Sequence, residues 1–218
     1  MCGRLTFNIT SEALAKMFSL NDVPQIEARY NIAPSQTIAA VRHVEDRNKL
    51  DFLKWGFIPK FSKDNTRTHT NVRSETVHEK PVFAHAIKYK RCIIPASGFY
   101  EWLQKDNHKQ PYYIRLSNSA GFGLAGLWEQ WSTEDGTEYE TCCILTTDAN
   151  EVVKPIHDRM PVILRPDDYN LWLNKNMHAP HELLRLFQPY PAELMIAHPV
   201  SNLVNNTRFD GASCILQM

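Results

Sequence analysis

The chain has 218 residues, with 24 Lys plus Arg balancing 24 Asp plus Glu, 43% hydrophobic residues and 11% aromatics. With only 22% charged residues, spread along the chain, this composition excludes intrinsic disorder and fibrous or low-complexity classes and supplies ample core for one domain over residues 1–218. No run approaches the roughly 18 apolar residues of a membrane helix, and MCGRLTFNIT has no leader pattern, so a cytoplasmic protein with no membrane partner is expected.

In chain order, the spacing of Ala13, Leu14, Met17 and Phe18 predicts a helix over Ser11 to Phe18. A strand follows at Leu50 to Phe57. A helix is then expected from Ser74 to about Ile87, broken at Pro81. Apolar, β-branched and aromatic runs predict strands at Arg91 to Pro95, Gly98 to Leu103, Pro111 to Leu116, Gly123 to Trp131, Tyr139 to Thr147 and Pro161 to Leu164. Helices at Pro166 to Leu173 and Pro180 to Phe187 and a strand at Leu194 to His198 complete the chain. Strands and helices do not alternate strictly, so the expected class is α+β, a mostly antiparallel, barrel-like sheet with a few peripheral helices.

Charge is unevenly placed. Lys54 to Arg91 holds nine basic and three acidic residues, a net +6 that leaves the remainder at −6. Trp55, Phe57, Phe61, Phe83 and Tyr89 are interleaved with those charges, as in a basic cleft for a polyanion, although a solvated face around a core has the same composition. The five cysteines, at positions 2, 92, 142, 143 and 214, show neither C-x-x-C pairs nor zinc spacing, so free thiols are expected, with no metal and no cofactor.

Cys2 is small enough to permit removal of Met1, which would leave an amine and a thiol on one residue. Such a 1,2-aminothiol condenses with an aldehyde to an imine and then closes a thiazolidine; the alternative is an ordinary residue at a terminus. Glu101, inside GFYEW, is either a desolvated carboxyl suited to general acid catalysis or a strand residue pointing at water. His157 lies in IHDRMP, where a loop enters a strand, and either moves protons or bonds backbone. In TNVRSE, Asn71 and Arg73 lead into Ser74, a candidate helix cap. Arg73 could clamp a phosphate or equally pair with Glu79 or a helix end.

The blocks MCGR, NIAP, WGFIP, TNVRSET, CIIPASGFYEW, IHDRMP and HPVS occur in this order across essentially the whole chain. Together they resemble the SOS-response-associated peptidase family, whose members recognise abasic sites in single-stranded DNA. The resemblance implies that Cys2, freed of Met1 by a peptidase-like autoproteolytic step, forms a reversible thiazolidine cross-link with the ring-opened sugar by lyase-like Schiff-base chemistry. It further implies that Glu101 acts as general acid/base, that His157 assists proton transfer and reversal, and that Asn71 orients Cys2 and the sugar. Arg4 and Arg73 would hold phosphates, while Phe61, Trp55 and Pro34 complete the expected DNA contacts. The implied partner is single-stranded DNA containing abasic sites, bound by a monomer, cytoplasmic and associated with the nucleoid when on DNA.

One departure concerns stacking. Family members often carry adjacent aromatics after the W-G-x-x-P block, whereas here Phe61 is followed by Ser62. Two other functions remain open on the residues: an N-terminal-nucleophile Cys amidohydrolase or peptidase, and a non-covalent single-stranded DNA binder using the Lys54 to Arg91 segment.

Overall fold

The computed structural model describes residues 2–106, 108–177 and 180–218, by backbone alone at Pro180 and His181. Its first half runs β1 (Leu5–Phe7), α1 (Ser11–Phe18), β2 (Arg29–Ile32), β3 (Thr37–Val44), β4 (Arg47–Trp55), β5 (Asn71–Arg73), α2 (Pro81–Ala84), α3 (Ala86–Tyr89) and β6 (Arg91–Ala96). The second half continues with β7 (Gly98–Lys105), β8 (His108–Leu116), β9 (Phe122–Ser132), β10 (Glu138–Asp148), β11 (Arg159–Pro161), β12 (Ile163–Leu164), α4 (Tyr169–Leu173), α5 (Pro180–Leu184) and β13 (Met195–Pro199).

The β10 sequence TCCILTT is buried without alternation, from Thr141 to Thr147, as expected of a strand covered on both faces. It pairs antiparallel with β9 and parallel with β4, which closes a ring β10-β4-β3-β6-β9, a five-stranded barrel. β5 also lies parallel on β10, and β11 and β12 border the ring. A second, antiparallel sheet runs β13-β8-β7-β1-β2. The chain is therefore α+β with a barrel and few helices, as its strand-like runs imply, and the described cysteines are free and buried.

Local chemistry explains the element ends. Thr10 Oγ1 accepts from the Ala13 N–H at 3.2 Å to cap α1, whose Leu14 and Phe18 face inward four residues apart. The β3–β4 hairpin turns through Glu45 and Asp46, both at positive φ (50° and 60°), the geometry that matches strand twist in a two-residue loop. The expected helix from Ser74 to Ile87 is corrected to a 3-10 turn over Ser74–Thr76 followed by two single-turn helices, α2 and α3. Lys80 stays extended (φ −88°, ψ 117°) because Pro81 disfavours helical geometry in the residue before it. Ser74 makes no cap hydrogen bond, so the capping role is also corrected.

Two contacts place the site. β1 pairs with β7 at Leu5↔Phe99, and the Tyr100 N–H donates to the Arg4 carbonyl at 3.0 Å, so the residues before β1 run beside Glu101. At Gly98 a Cβ would lie 2.3 Å from the Tyr113 ring; only glycine lets that ring close over the start of β7. On the other side, the Trp55 indole N–H and the Ile144 N–H both donate to the Thr70 carbonyl, at 2.9 and 3.0 Å, fixing β5 and with it Asn71.

Candidate functional site

Cys2, Asn71 and Glu101, far apart in sequence, meet where β5 and β7 flank the start of β1. The Asn71 Nδ2 donates to the Cys2 carbonyl at 2.8 Å, while the Asn71 Oδ1 is buried with no hydrogen-bond partner among the described residues. Cys2 is fully buried. Burial, reinforced by the negative charge of Glu101, pushes its thiol well above the ordinary range, against a backbone hydrogen bond from Arg4.

Glu101 is only 2% exposed, which decides between the two sequence readings in favour of the interior. Burial pushes its carboxyl up to about 7, with the charge of Asp158 acting in the same direction. A group with that affinity exchanges its proton near neutrality.

His157 is a quarter exposed and stands between two partners. Its Nδ1 accepts from the Arg159 backbone N–H at 2.9 Å and lies 2.9 Å from the Asp158 carboxylate. Burial lowers its pKa, and Asp158 opposes that shift. In the neutral ring the Arg159 N–H occupies Nδ1 and leaves the proton on Nε2.

The other expected contacts divide. Arg73 is exposed on β5 and makes no ion pair among the described residues. Phe61 is 71% exposed. Pro34 is half-buried in a turn whose Ser35 N–H donates to the Trp55 carbonyl at 2.7 Å, so the NIAP and WGFIP blocks touch. Trp55 is a correction. It is fully buried with its indole N–H spent on Thr70, so it supports β5 and offers no face to a base. Arg4 is likewise turned inward: it donates to the Asn31 side chain and the Val204 carbonyl and lies 5.7 Å from the Trp102 ring centroid. Burial lowers its pKa.

Sequence reasoning passed over Arg159, which stands in the IHDRMP block beside His157. Its buried guanidinium grips Glu75 with two hydrogen bonds of 2.7 and 2.9 Å, Asp148 at 2.6 Å and the Thr146 carbonyl at 2.6 Å. Although burial raises the Glu75 carboxyl, these bonds hold it below its ordinary value. Arg159 thereby ties the His157 loop, the TNVRSET turn and β10 together. A basic residue two positions after a candidate His was the available signal; of its carboxylate partners Asp148 lies 11 residues away and Glu75 lies 84. Among the described residues no group of three or more His, Cys, Asp or Glu could hold a metal.

Comparison with known proteins follows the same pattern. The SOS response associated peptidase (SRAP) family matches residues 1–207. The chain is 42% identical over 221 residues to the abasic site processing protein YoaM of Bacillus subtilis, covering 99% of this chain and 97% of the relative. It is 28% identical to the abasic site processing protein HMCES of Xenopus tropicalis, covering 99% and 78%. A solved structure from Bacteroides thetaiotaomicron superposes with a TM-score of 0.80 at 25% identity over 100% of both chains. A phage-related protein from Bordetella bronchiseptica gives a TM-score of 0.75 at 28% identity over 91% and 94%.

Proposed function

The chain belongs to the SOS response associated peptidase family, and from that membership we propose that it recognises abasic sites in single-stranded DNA and captures the ring-opened sugar covalently on Cys2. Relatives named for abasic-site processing support the substrate. The observation that carries the chemistry is the Glu101 carboxyl, buried and poised at about 7, whose charge is felt directly by the Cys2 thiol.

Hydrolysis of the Met1–Cys2 bond consumes one water and frees the Cys2 amine, with the Glu101 carboxylate accepting the proton. The amine then adds to the C1′ aldehyde and loses water as an imine. Because burial holds the Cys2 thiol protonated, its proton must leave to a neighbour before sulfur can attack, and Glu101 accepts it. Sulfur adds to the imine carbon, the nitrogen takes up a proton, and the product is a saturated thiazolidine. Loss of the imine removes the electron sink that β-elimination needs, so the strand stays intact.

Asn71 holds the Cys2 carbonyl and presents an Oδ1 that has no partner among the described residues. A freed amine is the donor that oxygen lacks, and an unmet buried acceptor costs about 1–3 kcal/mol. Arg73 supplies a phosphate contact in the open, and His157, with its proton on Nε2, serves the reverse reaction. Single-strand preference follows because a duplex would have to unpair to present C1′.

The test is intact mass, before and after incubation with abasic single-stranded DNA, of the wild type and Cys2→Ala. An adduct heavier by the DNA minus one water is expected only for the wild type, whereas loss of Met1, which needs only a small second residue, is expected of both. An adduct of equal yield on Cys2→Ala would overturn the assignment.

A further inference from the structure

Tyr139 and Trp131 stand opposite one another across the β9–β10 pair, and their rings stack with centroids 6.0 Å apart at an interplanar angle of 29°. Trp131 is 3% exposed, and its indole N–H donates to the Ser62 carbonyl at 2.8 Å. The inner ring of the pair is thus tied to the segment that carries the exposed Phe61. Tyr139, the outer ring, is 39% exposed on a strand end whose neighbours Glu138 and Glu140 are polar. Lys54 of β4 brings its Nζ to 5.7 Å from the Tyr139 ring centroid.

The ring and the nearby lysines suit an aromatic ligand that carries phosphate. Of the flanking carboxylates, Glu140 pairs with Arg42 at 2.6 Å, whereas Glu138 accepts from the neutral Gln130 amide at 2.9 Å and keeps its charge. Lys54 holds its charge over the ring, where a base laid on Tyr139 displaces it toward the adjoining phosphate, and exposed Lys60 and Lys63 flank Phe61 and Ser62 in sequence. A tyrosine already held flat against a buried tryptophan loses little side-chain entropy when another ring is laid on it.

We propose that Tyr139 is a base-stacking subsite for single-stranded nucleic acid, with Lys54 meeting an adjacent phosphate. The subsite lies outside the lesion pocket. Tyr139 stands five positions along β10 from Ile144, the partner of Asn71, about 17 Å at ~3.4 Å per residue, so it takes a base several nucleotides from the captured sugar. It supplies, from another strand, the ring that Ser62 lacks. Every base offers a π-face, so the subsite adds affinity without adding sequence preference. The inference rests on the single-stranded DNA reading above.

The experiment uses the full chain and a long abasic strand, with trimmed strands that end beside the lesion on either side. Binding is read by fluorescence anisotropy and stacking by quenching of 2-aminopurine placed at successive positions. Tyr139→Ala should weaken the long strand at least about fivefold, abolish quenching at one position and leave the trimmed strands and the cross-link yield at saturating DNA unchanged. Tyr139→Phe should behave as wild type. If Tyr139→Ala matches wild type on the long strand while both still cross-link, the subsite is wrong and the covalent reading stands; a docking site for a protein would give this result. If Tyr139→Phe is as weak as Tyr139→Ala, stacking is not the interaction. If the wild type binds no single strand, both readings fall.

Discussion

The side-chain amide of Asn71 reaches from β5, which lies on the barrel strand β10, to the backbone carbonyl of Cys2, 2.8 Å away and three residues ahead of β1 in the second sheet. Asn71→Ala removes the donor and leaves the Cys2 carbonyl without it. A stability loss of about 1–3 kcal/mol is expected, together with slower cross-linking at saturating DNA. Thermal melting and single-turnover capture measure the two effects separately. Capture at the wild-type rate would exclude an orienting role for Asn71.

Glu101 imposes a pH dependence whose sign follows from burial. The carboxyl titrates near 4.3 in an unfolded chain but at about 7 in the fold. Between those values the folded state holds more protons, so this residue's contribution falls as pH rises from roughly 4.3 to 7 and is flat outside that window. Glu101→Gln, which does not titrate, should therefore gain on the wild type by at most about 4 kcal/mol across the window. Denaturant unfolding at several pH values reads the difference. A difference that does not change with pH would place Glu101 in water. The variant should also form the adduct slowly while binding DNA normally.

How much of this was legible in sequence depends on where each signal lies along the chain. Long apolar strands such as β9 and β10 announce themselves, and so does the capped helix α1. β3 escapes because its turn is Glu45-Asp46 rather than a glycine pair, and because TIAAVRHV carries two alanines. β1 and β5 have three residues each, too few to show a period; they are strands only because partners far away in sequence pair with them. Cys2, Asn71, Glu101 and His157 could be singled out by residue type within motif blocks. Burial could not: Trp55 and Arg4 carry the side chains of DNA contacts, yet the fold spends both internally. Tyr139 reads as an ordinary strand residue because its partner Trp131 lies across a hairpin.

Trp55 offers a clean separation of support from contact. Trp55→Phe keeps most of the buried ring but loses the N–H that meets the Thr70 carbonyl. A cost of about 1 kcal/mol is expected, with slower capture through displacement of Asn71 and no change in the salt dependence of DNA binding. A large change in that salt slope would instead indicate a direct role at the DNA.

Arg159 should behave as a positioning residue for His157. Lysine keeps the charge but cannot reproduce the fork that grips both oxygens of Glu75. Arg159→Lys is expected to lose about 1–3 kcal/mol of stability, since the bonds given up involve charged groups. It should slow cross-link reversal more than formation. Equal slowing of both directions would argue for a general loosening of the site.

His157 itself has a signature that does not depend on activity. Because Nδ1 accepts from the Arg159 N–H, the neutral ring should carry its proton on Nε2, and because burial lowers its pKa, it should titrate below the usual 6.5. Its contribution to stability is then present above about pH 6.5 and is lost as pH falls through that value toward the lower, folded one. Asp158 pulls the other way, so Asp158→Asn should lower the folded pKa further and widen that window. Nitrogen-15 NMR of the histidine side chains reports both the tautomer and the titration. A proton on Nδ1 at neutral pH would mean that Asp158, not the backbone of Arg159, orients the ring, and the proton offered for reversal would then lie on the wrong side of the imidazole.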